Sequence, residues 1–463
     1  MGLSAAMEIG KNGLNIFRVA SEVTSENIAN VNTPGYSRQR VLLETAPPTL
    51  ANGFPLGTGV KISTVERYYD SLLQQQMIGA SSTQGYDTTK SNVLQQIEPI
   101  FNEVINDGLG SAISKFFASW QDLTLNPSGT TERQAILTNS QVLVDNFHAV
   151  SSTLSDTVSI QNASLVPLVD TINSTLSNIA QLNAQIKTTE LVNGNANEIR
   201  DRRDQLVRDL SQMVGITTTE NSDGTTDIAF ADGGLALVTS GTAGVFSLDK
   251  SYPDHFVVQL TPGTLGGSLT TVLPTTGELG ATMALRDTII PGYKAQVDAL
   301  ATAITTQVNA QHTAGFDLNG AAGIELFDSS ATGAATFEIS SLITGTSQIA
   351  ASSSSVLKGD NGNARLMSGL QSQKFMSDGT LTFNGYLDSL VSGIGLDVAS
   401  SKTIVSQDDA FSKQLTALRE SNSGVSLDEE LTNLIKYQRS YQASAKLIST
   451  ATEMMDTVMG IIR

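Results

Sequence analysis

A chain of 463 residues with 27 Lys and Arg against 45 Asp and Glu carries a formal charge of −18, and it has no cysteine. The acidity argues against nucleic acid as a partner, since that needs a basic stripe to displace counterions from phosphate. The missing thiols exclude zinc–cysteine and cysteine-nucleophile chemistry, and 40 % hydrophobic with only 5 % aromatic residues suits long helices and polar sheets better than an enzyme around a deep apolar pocket.

The chain opens on a helix. Residues 3–31 place Ile9, Gly13, Ile16, Ala20, Val23, Asn27 and Asn30 at alternating steps of four and three, a coiled-coil spacing with a polar far end. No basic-then-apolar leader precedes it, so no cleavable signal peptide is visible, and Ala6 stands where a myristoylation pattern needs Ser or Thr. Asn32-Thr33-Pro34-Gly35-Tyr36 ends the helix: Pro34 presets the first turn corner and Gly35 accepts positive φ at the second, which predicts a type II turn. From Ser37 to Arg67 the text turns strand-like and loop-like, with Pro47, Pro48, Gly53 and Pro55 barring a helix.

Helical character returns from Tyr68 to about Val214, clearest in Leu154, Val158, Gln161, Leu165, Leu168, Ile172, Thr175, Ile179, Leu182 and Ile186, with Pro167 expected to kink or interrupt it. A second stretch, Asn197 to Met213, carries the run Glu198 to Leu206, whose plain reading is a solvated face of i, i+4 pairs. Residues 215–277 shift to Thr, Gly and Val in short alternating pieces and read as an inserted β domain. Helix resumes from 278 to about His312, residues 315–357 form a second strand-like insertion, and helix returns from Asn363 with an irregular patch near 377–382. Ser426-Leu427-Asp428-Glu429 reads as a capping box for a last helix. Along it Leu427, Leu431, Leu434, Gln438, Tyr441, Ala445, Ile448, Thr452, Met455, Met459 and Ile462 keep the four–three step to the end.

The layout is α+β and multidomain. An N-terminal helix (1–36) and a C-terminal coiled-coil helix (425–463) form one inner domain. A mainly helical domain comes in three parts (37–214, 278–314, 358–424), interrupted by the β-rich insert 215–277 and the β-like insertion 315–357. The expected assembly seam is Ile9, Ile16, Val23, Leu427, Leu431, Leu434, Tyr441, Ala445, Ile448, Met455, Met459 and Ile462, with Pro34 and Gly35 as the turn. The terminal helix is expected to be largely unfolded in the free chain and to fold on assembly, because burying its few large apolar residues about offsets the entropy of ordering its backbone.

Chemistry is sparse. The three histidines, His148, His255 and His312, are not within helical reach of one another, and HExxH, P-loop, GxSxG and dinucleotide motifs are all absent. His312 sits at a helix C-terminus, where a partly positive ring suits the dipole. Asp223-Gly224 and Gly359-Asp360-Asn361-Gly362 read as turns rather than calcium loops, Asp408-Asp409 and Glu429-Glu430 lack a pocket, and Trp120 reads as core. No catalytic residue, cofactor or metal is assigned, and no apolar run reaches the roughly 18 residues of a membrane span.

Asn27-Ile28-Ala29-Asn30-Val31-Asn32-Thr33-Pro34-Gly35-Tyr36 resembles the N-terminal signature of the bacterial flagellar axial proteins, and Ser37-Arg38-Gln39 looks like its form in the hook-associated branch. Arg203-Asp204-Gln205-Leu206, Gly277 to Gly280 running on to Asn309-Ala310-Gln311-His312, Gly315 to Gly320, and Glu429 to Ala443 are similar to further stretches of that family. The resemblance implies a structural subunit at the junction of hook and filament. Such a subunit is exported uncleaved through the type III channel and assembled as a ring of its own copies. Its partners would be the hook protein, the next hook-associated protein and an export chaperone, with no membrane or nucleic acid. The alternatives are a hook or rod subunit and, in a different class, a secreted adhesin or enzyme displayed on the β insert.

Overall fold

The computed structural model describes residues 2–51, 54–101, 108–192, 194–357 and 359–461. Helix α1 (Gly2–Ala29) runs into the Pro34–Gly35 turn, and strands β1 (Gln39–Thr45), β2 (Thr49–Ala51), β3 (Phe54–Leu56) and β4 (Val60–Arg67) then form a long hairpin. β1 pairs antiparallel with β4, from Gln39 opposite Arg67 to Thr45 opposite Val60, with a bulge at Leu42–Leu43, and β2 pairs with β3 at the tip. Four helices follow: α2 (Ser71–Ile97), capped by the Asp70 carboxylate on the Leu73 N–H, then α3 (Leu109–Leu125), α4 (Thr130–Glu190) and α5 (Asn197–Met213).

Helix α4 has 61 residues, about 90 Å at 1.5 Å per residue. The expected interruption at Pro167 does not occur. Pro167 and Ala163, the residue four back whose carbonyl loses its donor, both lie on the exposed face. Water can take that carbonyl, while Leu165, Leu168, Val169 and Ile172 hold the buried side in place.

Two antiparallel sheets occupy the first insert. One has the order β5 (Ile216–Glu220), β6 (Thr226–Phe230), β7 (Ala236–Thr239), β8 (Thr242–Ala243); the other places β10 (Val257–Thr261) between β9 (Val245–Asp249) and β11 (Thr270–Thr271). Alternation sends Thr226, Ile228 and Phe230 of β6 and Val258 and Leu260 of β10 inward. Phe230 of one sheet meets Phe246 of the other edge-on at 6.2 Å. The ends of the segment touch: a Cβ on Gly277 (φ +72°) would lie 2.8 Å from the Val214 backbone. The sheets do not close a core of their own. Leu165, Ile172, Leu176 and Ile179 of α4, Val207 and Leu210 of α5, and Leu279 and Met283 of α6 (Gly277–Ala284) complete it.

Beyond α6 a π-helical turn, Leu285–Ile289, leads into α7 (Ile290–Thr313). Residues 315–357, read from sequence as a strand-like insertion, form no strand among the described residues. Phe316 bridges Ala322 and Ser352, and Phe327 bridges Ile339, as isolated pairs. Side chains take the backbone donors that a ladder would use: Asp317 accepts from the Asn319 and Ala321 N–H groups, both at 2.8 Å, and Asp328 from Ser330 at 2.8 Å. This layer drops Phe327, Phe337 and Ile349 into a second core, built with Phe116, Phe117 and Trp120 of α3, the first half of α4, and Val297, Leu300 and Ile304 of α7. Short helix α8 (Gly362–Gly369) and the start of α9 (Phe383–Ser423), capped by Thr382 on the Gly385 N–H, close it. The last helix, α10 (Leu427–Ile461), turns back along α1.

One device recurs where non-helical segments meet α4 and α7. On α4, Asn173 donates to the Phe246 carbonyl and accepts from the Phe246 N–H, both at 2.8 Å. Asn183 does the same to Thr226, and Asn162 bridges Pro253 and Phe256. On α7, Asn309 grips Phe327. Each carboxamide pairs with a passing backbone as a neighbouring strand would, which satisfies groups that burial would otherwise strand.

Candidate functional site: the terminal arm and its anchor

Helices α1 and α10 pair antiparallel, with Asn27 beside Glu430, Phe17 stacked on Tyr437 at 6.4 Å, and Gly10 against Ile448. The contact is lined with small side chains. Gly10, Gly13, Ile16, Ala20 and Thr24 are buried on α1, and Ala451 on α10. A Cβ on Gly10 would come 2.6 Å from Ile448 and one on Gly13 2.6 Å from Ser444, so the axes approach closely.

Closeness on small residues leaves the large ones of α10 outside. Of the expected seam, Ile16 is buried, Val23, Leu434, Ile448 and Met455 are half-buried, and Ala445 is exposed. Ile9 is also exposed and leans on Gly59. Leu427 is 45 % exposed, Leu431 49 %, Tyr441 41 % and Met459 64 %. Ile462 lies outside the described residues. Within the chain Ile448 packs on α1, while Leu427, Leu431, Tyr441, Ala445 and Met459 of α10 stay exposed. The capping box is not made as read: Glu429 turns to Arg38 Nη1 at 2.6 Å, an ion pair with a residue distant in sequence.

The arm is anchored where Asn27 meets the start of β1. Its Nδ2 donates to the Gln39 carbonyl at 2.9 Å and to Glu430 at 3.1 Å; its Oδ1 accepts from the Gln39 N–H and the Tyr36 hydroxyl, each at 2.9 Å. Glu430, buried, also takes Arg38 Nε at 2.6 Å. The Thr33 carbonyl accepts from the Tyr36 N–H at 3.2 Å around Pro34 and Gly35, whose φ is +82°. Arg419 of α9 reaches the Gly35 carbonyl at 2.6 Å and that of Tyr36 at 3.2 Å. All four components, α1, the turn, β1 and α10, are held at one point.

Beneath it lies the charged run of α5, which is not the solvated face its sequence suggested. Asp201, Arg203 and Asp204 are buried. Asp201 accepts from the Ser37 N–H at 2.8 Å and from Arg67 at 2.7 Å, and Arg67 pairs with Asp204 at 2.7 Å. The partner that draws these carboxylates inward is Arg67, at the end of β4. Burial pushes Asp204 up, but Arg67 and Arg203 outweigh it and hold the carboxyl below its usual range. At Asp201 burial prevails over Arg67 and Ser37, and the carboxyl sits above it. His312 is also corrected: it is fully buried, its Nδ1 bonds the Ile324 carbonyl, and its Nε2 accepts from the Ala350 N–H at 2.9 Å. That ring is neutral, not a dipole-stabilised cation. The sequence reading missed Asn27, Arg38, Arg67, Arg419 and Glu430 as an anchor. Asn27, Arg38 and Glu430 lie in stretches that resemble the family, but nothing local points to Arg67 or Arg419.

Residues 94–327 match the family described as flagellar hook-associated protein FlgK helical domain. The chain belongs to the FlgK family. The two ends that form the arm match families named for rod proteins: residues 7–36 the flagella basal body rod protein, and 419–461 the flagellar basal body rod FlgEFG protein C-terminal. The second match begins at Arg419, the residue that holds the turn of the first. Flagellar hook-associated protein 1 of Escherichia coli (strain K12) is 28 % identical, covering 99 % of this chain and 100 % of its own length. The Bacillus subtilis (strain 168) protein of that name is 28 % identical over 98 % and 97 %. The solved flagellar hook junction protein FlgK from Burkholderia pseudomallei, 17 % identical, shares the fold at a TM-score of 0.68, covering 75 % of this chain and 100 % of its own. The FlgK relatives are flagellar structural proteins, and this chain is likewise an axial component of the bacterial flagellum.

Proposed function

We propose that this chain is the structural, non-enzymatic subunit that joins hook to filament, exported through the type III channel and closed into a ring of its own copies. The observation that carries the reading is the two-faced α10: its small side chains serve the intramolecular pair, while Leu427, Leu431, Tyr441 and Met459 remain for neighbours. Those neighbours are further copies of the chain laterally, the hook protein on one side and the next hook-associated protein on the other. An export chaperone takes the same apolar face before assembly. The anchor at Asn27, Arg38 and Glu430 fixes how the arm meets the body and hence the geometry of the ring.

The test is electron microscopy of a strain lacking the chain, complemented by Leu431→Asp. Normal hooks without filaments are expected in both. Loss of the hooks themselves would instead favour a hook or rod subunit, the role suggested by the rod-family matches at both ends. Intact filaments would overturn both readings and favour an adhesin or enzyme carried on the β insert.

A further inference from the structure

Helix α10 has a charge pattern at odds with so acidic a chain. Between Glu430 and Glu453 it carries Lys436, Arg439 and Lys446 and no carboxylate, although the whole chain has 45 acidic residues to 27 basic. All three cations are exposed and form no ion pair among the described residues. At about 100° per residue, Arg439 stands about 200° round the helix from Tyr437, and Lys446 as far from Ser444 and Ile448. Tyr437, Ser444 and Ile448 meet α1, so these two cations point away from it, and Lys436 points to the side. Exposed Leu431 and Ile435 border them.

A site of opposite sign lies on the other side of α1. A cleft of about 530 Å³ opens between α5 and α1 with its Pro34–Gly35 turn. Glu26 lines it from α1, and Glu198, Asp201 and Arg202 from α5, beside Leu206. Asp201 is committed to Arg67 and Ser37. Glu26 and Glu198 form no ion pair among the described residues, and Arg202 is exposed. Carboxylates facing one space disfavour each other's charge, and an arriving cation relieves that. No residue of α10 lines the cleft, and α1 stands between it and the cations of the same chain. We infer that Lys436 and Arg439 dock in this cleft on a second copy of the chain and pair with that copy's Glu26 and Glu198.

This contact rests on the ring proposed above for its neighbour, and it sets the neighbour's position. The basic face and the cleft are different surfaces of one molecule, so copies meet head to tail, as ring closure requires. Exposed Leu431 and Tyr441 attract a neighbour without fixing its register, whereas paired charges fix it. Glu430 is level with Asn27, and Lys436 lies about 9 Å further along α10. Adjacent arms are therefore offset by less than two helical turns.

A charge swap tests this in a strain lacking the chain. Filaments that persist in that strain would remove the ring and this contact with it; filaments restored by the parent leave the swap to decide the contact alone. Lys436→Glu with Arg439→Glu, and separately Glu26→Lys with Glu198→Lys, should each leave the purified chain's melting unchanged. Each should cut filamented cells about tenfold, because like charges then face each other across the contact. All four substitutions together restore opposite charges and should bring filaments back. A second readout uses the absence of cysteine: in hook–basal bodies carrying Arg439→Cys and Glu198→Cys, a short bismaleimide should link copies into a ladder. Either cysteine alone should give none. Parent-level filaments in both reversed pairs, a four-fold variant as poor as its halves, or no ladder in filamented cells overturns the contact.

Discussion

Both ring nitrogens of His312 are spoken for, one by the Ile324 carbonyl and one by the Ala350 N–H. A second proton would have to face that N–H. Burial, aided by the Arg133 charge, pushes the ring down to about 4, although the Ile324 bond works the other way. In the unfolded chain the ring titrates near 6.5. Between these values only the unfolded state gains the proton, so the stability His312 supplies is complete above about 6.5 and is lost as the pH falls toward 4. The slope is about 1.4 kcal/mol per pH unit at most, about 3 kcal/mol in total. Urea unfolding of the parent and of His312→Gln across that window isolates this contribution. An equal slope in the two proteins would remove His312 as its source. Gly35 presents a steric question instead. Its φ of +82° suits glycine, and an added Cβ would sit 3.3 Å from Gln205 Oε1. Gly35→Val should cost about 1–2 kcal/mol in the turn and impair filament assembly, with Gly35→Asn milder. Melting curves and filament counts that match the parent would show that the turn tolerates other shapes.

At the scale of elements, the arm separates two kinds of burial. Ile448 packs on Gly10 within the chain, whereas Leu431 is free. Leu431→Asp should therefore leave the free chain's melting and hydrogen exchange unchanged and block assembly, while Ile448→Asp should do the second and also loosen α1 from α10. Because glycine, serine and alanine line the closest approach of the two helices, the pair buries less apolar area than one packed on large side chains throughout. Hydrogen exchange along 431–461 should be weak in the free chain and strong after assembly, and strong protection in both would mean the pair is stable alone. The four–three step in α10 showed that one face is apolar. It could not show that α1 meets a neighbouring face of small residues, because periodicity carries no information about which partner a face will meet. The β insert was legible from composition, but its dependence on α4 was not. Replacing 216–275 by a short linker leaves Leu165, Ile172, Leu176 and Ile179 uncovered. The remainder should then bind hydrophobic dye and melt at lower temperature, and an unaltered melting curve would mean that half of α4 holds without the sheets.

For the whole molecule, α4 is the common beam. Its first half completes one core and its second half the other, with exposed Ser159 and Ile160 between them. A continuous helix couples the two, so the body should unfold in one calorimetric transition. Ser159→Pro, which removes a helical bond and adds a clash at a cost of about 3 kcal/mol or more, should split it in two. A single transition in the variant would place the coupling elsewhere, in α2 or α9. The sequence showed the beam as a long apolar periodicity, yet the anchor at Asn27 and the buried charges of α5 stayed hidden. Their partners, Arg67, Arg419 and Glu430, are brought in from other parts of the chain, and i, i+4 reasoning sees only local pairs. The asparagines that seat the sheets were equally silent, since a carboxamide bonding to backbone leaves no pattern in its partner. That silence has an evolutionary side. Asn162, Asn173 and Asn183 recognise peptide groups, which every residue but proline carries in full, so the segments they hold are free to exchange side chains over generations without losing their seat. Sequence drift should therefore run faster in the gripped strands than in the three asparagines that grip them.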